Sequence, residues 1–407
     1  MRARIWSCLR APNVSEPVRP IDSLTVAAQK PIPSHERKRV VLTLVLALGV
    51  PLLAKAAPAW KIQFSFQKLD ASLELRDLAC PSAQRCIAAG EIFEKNGRQQ
   101  GVVVLTSDGG KQWSQVEVKE HPLSLFFLND SLGWMVTDHG IWSTVESGRT
   151  WTRLEGAKGA VRVHFLDPLH GYAIGYPKVV WETADGGKKW TKLAAAERPP
   201  TEAKETVYDC IAFSGEHGVI AGNLLETDDH APIWLHPELA PYRREHQTKV
   251  AILETFDGGK KWEGSTLPIV GTLAQLKFGM DGGAIILVQY TNYFSLPSSV
   301  YKTRLTREGA QTIFEERDRA VTDVGLLPDG SAMLASVEPP GSSNQVPIPG
   351  KVKMFESGNL KIWREMDIDY RAVAQRAILA AVDAQHAWVA TDTGMILSLV
   401  DAANAAR

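Results

Sequence analysis

Charge of one sign is what this chain lacks most plainly. Its 45 Lys and Arg face 46 Asp and Glu, a formal net charge of −1, which excludes the basic surface of a nucleic-acid binder. Cysteine is scarce, with four residues at positions 8, 80, 86 and 210. Cys80 and Cys86 stand in a C-x5-C spacing with no second pair and no nearby histidine, a poor zinc site. A phosphate loop is missing too, because the GGK triplets do not satisfy GxxxxGK[ST]. The apolar run Val40 to Leu53 is 14 residues long, short of the roughly 20 that a spanning helix needs, and Pro51 interrupts it.

What the chain has is a repeated phrase. TSDGGKQW runs from Thr106 to Trp113, TADGGKKW from Thr183 to Trp190 and TFDGGKKW from Thr255 to Trp262, with a looser TVESGRTW from Thr144 to Trp151. The skeleton T-x-[D/E]-x-G-x-x-W is turn chemistry. The carboxylates of Asp108, Glu146, Asp185 and Asp257 can accept backbone N–H bonds, and Gly110, Gly148, Gly187 and Gly259 supply positive φ. Trp113, Trp151, Trp190 and Trp262 each open the next strand and bury a ring against a neighbouring sheet. Trp113 to Trp151 is 38 residues, Trp151 to Trp190 is 39 and Trp190 to Trp262 is 72. A period near 40 built from short strands predicts a β-propeller of four-stranded blades.

These boxes resemble the Asp-box (BNR-like) repeat proteins, which include sialidases, sortilin-type receptors and the photosystem II stability/assembly factor family. The expected fold is all-β, a seven-bladed propeller of four-stranded antiparallel blades over residues 57–407. The fifth blade has no box, and ESGNLKIW, from Glu356 to Trp363, reads as a box stretched by one residue in the sixth. The seventh blade, AVAQRAILAAVD, HAWVATD and GMILSLV, stops one strand short. AWKIQFSF, from Ala59 to Phe66, opens on a Trp like every other fourth strand and is predicted to close the ring, removing an exposed edge.

Residues 1–56 read as a leader. HERKR, at His35 to Arg39, precedes the apolar run and then AKAAPA, the order of a basic region, an apolar region and a small-residue cleavage site. Export is expected, through cleavage after Ala56 or with the segment kept as an N-terminal anchor. In an oxidising compartment Cys80 and Cys86, at the two ends of a hairpin, are expected to form a disulfide. Cys210 reads as a buried core thiol.

The boxes lie on turns between third and fourth strands and are expected to be structural. The opposite face carries the long loops: Leu224 to Lys249, Tyr290 to Ser299, Glu338 to Gly350 and the crossover AAAERPPTEAKE. Long loops on a rigid scaffold are where binding concentrates. Within them Trp234, Tyr242, Arg243, Arg244, Tyr293 and Phe294 have the aromatic and arginine character of interface hot spots. Asp228, Asp229, His230, His236 and His246 match no metal motif, so neither metal nor cofactor is expected.

The resemblance is greatest to the photosystem II stability/assembly factors, on the box hairpins, the export signal and the CPS…C hairpin near the start. It implies a non-enzymatic, monomeric extracytoplasmic scaffold that binds a membrane-associated protein partner. The alternative is a sialidase-like glycoside hydrolase or glycan-binding propeller. The sialidase arginine signature before the first box is absent, however: the stretch reads LELRDLACPS, and Arg76 alone makes no arginine triad.

Overall fold

The computed structural model describes residues 58–225, 247–279, 282–290, 296–303, 309–339 and 349–400. These form 29 β-strands and two short 3-10 turns. The first sheet pairs Ala71–Ala79, Cys86–Glu94, Gln99–Thr106 and Ser114–Val118 in chain order, all antiparallel. Four more sheets of the same plan span residues 122–154, 160–192, 206–270 and 272–315. The short alternating runs between Gly, Asn and Asp turns explain this plan, since each strand has one face to bury on each neighbouring sheet.

The remaining strands form one nine-stranded sheet. It contains the four strands from Ala320–Leu326 to Arg364–Ile368, then Ala377–Ala381, Ala387–Thr391 and Met395–Val400. The amino-terminal strand Ala59–Ser65 completes it, antiparallel to Met395–Val400 with Ala59 opposite Val400 and Ser65 opposite Met395. Ala59 and Trp60 also touch Asp367 and Ile368 in parallel. Divided at that parallel contact, the sheet yields two four-stranded blades, which with the five others make seven. Val373–Ala374 belongs outside the seventh blade, where AVAQ was expected, and pairs with Gly350 and Lys351 of the sixth.

The core is correspondingly divided. Seven hydrophobic clusters fill the seven seams between adjacent blades. A box Trp sits in each of several: Trp113 between blades 7 and 1, Trp151 between 1 and 2, Trp190 between 2 and 3, and Trp262 between 3 and 4. Trp60 occupies the seam between blades 6 and 7, fully buried, and donates its indole N–H to Met366 Sδ at 3.3 Å. It performs the box tryptophan's packing without a box.

The box turns share one geometry. The Thr hydroxyl accepts the N–H of the second left-handed residue, as in Thr106–Gly110 at 3.0 Å and Thr255–Gly259 at 2.9 Å, and donates to the Asp carboxylate. The same carboxylates accept the N–H groups of Gln112, Lys189 and Lys261 at 2.9–3.0 Å. One more N–H of each turn reaches across to the first turn of its own blade: Gly109 to Gln84, Ser147 to Ser131, Gly186 to Leu169 and Gly258 to Glu216. Gly259 has no alternative, because its φ is +94° and a Cβ would stand 1.9 Å from the Tyr172 hydroxyl. The sixth blade corrects the stretched-box reading. Ser357 takes the Thr role, Asn359 the Asp role and Leu360, at φ +60°, the glycine role, so the turn is one residue shorter than the others.

Two outcomes are expected. Trp60→Ala should lower stability by about 3–5 kcal/mol, the usual effect of emptying a Trp-sized core site, measured by denaturant unfolding; an unchanged midpoint would show that the closing strand is dispensable. The carboxyls of Asp108, Asp185 and Asp257 lie below their ordinary value of 3.8, chiefly through the backbone N–H groups of Gln112, Lys189 and Lys261. A depressed folded value gives stability that is present above the unfolded value and lost as pH falls through the folded one. Melting temperature should therefore drop below about pH 4, and less steeply in a triple Asp→Asn variant; superimposable profiles would contradict this.

Candidate binding face and channel

The first strand of each blade lines a central channel. In six of the seven blades it carries a β-bulge at the same register, between Leu75 and Asp77, Pro122 and Ser124, Ala160 and Arg162, Tyr208 and Cys210, Leu273 and Gln275, and Val321 and Asp323. A bulge leaves backbone groups unpaired and turns the strand, and first strands of different blades do not share a ladder. Polar side chains fill the gap. Asp77 accepts the N–H of Leu125 at 2.8 Å and Asp323 that of Leu379 at 2.8 Å. Ser124 donates to Val161 O at 2.8 Å and Thr322 to Ala377 O at 2.7 Å. Asn223 both donates to Leu273 O at 2.9 Å and accepts its N–H at 3.0 Å. Arg162 Nε reaches Asp209 O at 3.1 Å. Sequence reasoning missed this ring. Its signal is a polar residue recurring just past the bulge, as at Asp77, Ser124, Arg162, Gln275 and Asp323.

The channel encloses about 390 Å³ and is lined by Asp77, Arg162, His164, Asp209, Asp323 and Arg376 among others. Its carboxylates are engaged. Asp77 and Asp323 hold backbone N–H groups, Lys277 lies 3.2 Å from Asp323, and Asn223 donates to both oxygens of Asp209 at 3.0 Å. Burial raises the Asp209 carboxyl to about 6 and lowers His164 to about 4, so the imidazole is neutral at physiological pH. His164 packs between Phe126 and Phe213, with ring centroids 4.8 and 5.4 Å away. Burial also pushes the Cys210 thiol well up, and the side chain packs in the core between blades 4 and 5. Among the described residues no group of three or more His, Cys, Asp and Glu is placed to hold a metal.

The face opposite the boxes is built from turns between second and third strands and from crossovers between blades. The crossover from Lys192 to Thr206 is held firmly. Buried Lys178 donates to Pro199 O at 2.6 Å and Thr201 O at 2.7 Å, Tyr208 to Ala196 O at 2.8 Å, and Arg198 to Trp262 O. Near the first blade, buried Glu91 joins Arg76 at 3.0 Å and His121 at 2.9 Å. Arg76, the lone arginine near the first box, is thus an ion-pair partner and not part of a cluster of arginines.

Cys80 and Cys86 are joined by a disulfide across the first turn of blade 1. The interface candidates Trp234, Tyr242, Arg243, Arg244, Tyr293 and Phe294 lie outside the described residues, as do Asp228, Asp229, His230, His236 and His246. The strands that flank them are described. Leu224 and Gln247 end adjacent strands of blade 4, Gln289 and Ser298 of blade 5, and Val337 and Gly350 of blade 6, so three neighbouring blades open their longest intervals on one face.

A family model described as photosynthesis system II assembly factor YCF48 matches residues 153–242. Photosystem II assembly lipoprotein Ycf48 of Synechococcus sp. (strain CC9902) is 25% identical over 205 residues, 45% of this chain and 58% of that protein, so the match spans less than two thirds of that relative's length. Among solved structures, YCF48 bound to D1 peptide has a TM-score of 0.54 at 14% identity, covering 85% of this chain and 98% of that one. YCF48 from Cyanidioschyzon merolae gives 0.54 at 15%, covering 85% and 99%. The propeller domain of the trilobed protease from Pyrococcus furiosus gives 0.50 at 12%, covering 81% and 96%. The structural likenesses establish the fold. With the sequence matches, they make the chain a BNR-like propeller related to the photosystem II assembly factors.

The buried carboxyl of Asp209 supplies a pH test of the channel. An acid whose folded value stands above its unfolded one destabilises the fold as pH rises from 3.8 to about 6. Two units correspond to at most about 3 kcal/mol, less where channel water screens the charge. Asp209→Asn should therefore gain stability relative to the parent at neutral pH and gain none near pH 4, by paired melts; a difference that does not vary with pH would contradict it.

Proposed function

We propose that this protein is a non-enzymatic, extracytoplasmic scaffold that holds a membrane-associated protein partner on its loop-rich face. The observation that carries the reading is the asymmetry of the two faces. On the box face no connection between strands exceeds seven residues, and the box turns close on their own backbone. On the other, the intervals after Leu224, Gln289 and Val337 are 22, 8 and 12 residues, and the crossover after Lys192 is 13. A ring that places its longest intervals between strands on one side of adjacent blades is suited to binding there.

Three further points support the reading. The related YCF48 has been seen with a D1 peptide, so a propeller of this plan can take a peptide ligand. The channel carboxylates that a glycosidase would need as an acid and base pair are bonded to backbone or amide groups. Arg376 lines the channel at the start of the seventh blade's first strand, on the loop side, and its guanidinium has no ion pair among the described residues. The lipid attachment named for the Synechococcus relative has no cysteine to use beside the apolar run, since cysteines stand at 8, 80, 86 and 210. Membrane proximity then comes from residues 40–53 themselves or from the partner.

The test is capture from detergent-solubilised membranes, comparing the parent with a variant in which residues 226–245 are replaced by a short Gly/Ser turn. Loss of a defined integral membrane protein, with an unchanged melting temperature, is expected. Equal capture by both forms would move the binding face elsewhere, and release of sugar from sialylated glycans would overturn the non-enzymatic reading.

A further inference from the structure

We infer that the box face of the ring lies against a lipid bilayer, so that the loop-rich face points away from the membrane. The inference needs an exported location and not any particular partner. Its first support is where the chain enters the fold. Ala59 pairs with Val400, and Ser65 with Met395. Third strands run toward the box turns, so Ala59 stands at the box face. Only residues 54–58 separate it from the apolar run that ends at Leu53, a reach of about 20 Å when fully extended. Whenever that run is held in a membrane, the box face is the side nearest to it.

The second support is what this face displays. Val145, Leu169, Phe256 and Ile362, on turns of blades 2, 3, 4 and 6, are 73%, 58%, 57% and 74% exposed. Val145 and Phe256 occupy the variable position after the box Thr, which is exposed while the Thr hydroxyl turns inward onto the turn's own N–H groups. Phe256 stacks on His217 at 4.7 Å, and His217 in turn meets Glu254 at 2.9 Å. Around these tips the box turns carry exposed bases, among them Lys111, Arg149, Lys188, Lys260 and Lys361. Five acids of the same face bend back onto their own turns, Asp108, Asp185 and Asp257 as described and Asp167 and Asp383 onto N–H groups two and three residues on, while Glu146 and Glu216 stay exposed. Apolar tips among outward bases are the pattern of an interfacial membrane surface.

The full chain, with Cys8→Ser, tests this after reconstitution into phosphatidylcholine/phosphatidylglycerol vesicles. An environment-sensitive dye is placed at Phe256→Cys or, as the opposite-face control, at Leu69→Cys in the crossover between Ser65 and Ala71, whose parent side chain is 90% exposed. Dye at position 256 should shift to the blue and resist an aqueous quencher several-fold better than dye at 69. Equal quenching, or the reverse order, would overturn the assignment. Combining Val145→Ser, Leu169→Ser and Ile362→Ser should remove most of the protection at 256; unchanged protection would also count against lipid contact. The same triple variant should still capture the partner, so failure of the loop-face reading and failure of this one give different results.

Discussion

The wedge between neighbouring sheets is the constraint on which the molecule depends. Sheets arranged around an axis diverge outward, and the space between them must be filled or it becomes seven cavities. One large ring per seam meets much of that need. Box tryptophans serve the seams at Trp113, Trp151, Trp190 and Trp262, Trp363 packs against the seam between blades 5 and 6, and Trp60 fills the last. The boxless fifth blade has no Trp to offer, and its seam with blade 4 takes Phe278, Tyr290 and Tyr301 instead. The box turn is best understood as the device that delivers the tryptophan. Its hydrogen bonds settle the turn against the first turn of the same blade and aim the ring across the seam.

A second requirement operates at the axis, where burial cannot help. First strands crowd together, bulge and leave amide groups that no ladder satisfies. Asp77, Ser124, Asn223, Thr322 and Asp323 answer this by bonding backbone of the next blade. An unsatisfied buried amide costs more than a typical hydrogen bond contributes, so the channel's polarity is largely structural. A lining rich in Asp and Arg invites an enzymatic interpretation, yet most of these groups are committed to holding the ring.

Both requirements constrain the axis and the box face and leave the loop face free to vary. Connections there need only return the chain to the next strand, and Lys178 and Arg198 brace the longest described crossover while longer intervals open beside it. The same asymmetry sets the chain's entry at the box face. One side of the ring thereby carries the chain's entry and the other carries the longest intervals between strands.

Local patterns determined much of this protein from the sequence alone. The box phrase, its period near 40 residues, the closing role of Ala59–Ser65 and the Cys80–Cys86 hairpin were legible because turns, alternation and close-range pairing are decided by residues near one another. Leu360 in the left-handed position of the sixth box was not legible in that way, since a Ser–Asn turn one residue shorter satisfies the same N–H groups with different letters. Nor was the ring of polar side chains at the axis. Asp77 and Leu125 are 48 residues apart and Asp323 and Leu379 are 56. Nothing near either aspartate announces its partner, because the unsatisfied amide exists only after two blades have been brought side by side. Tertiary structure alone decided which charges are structural.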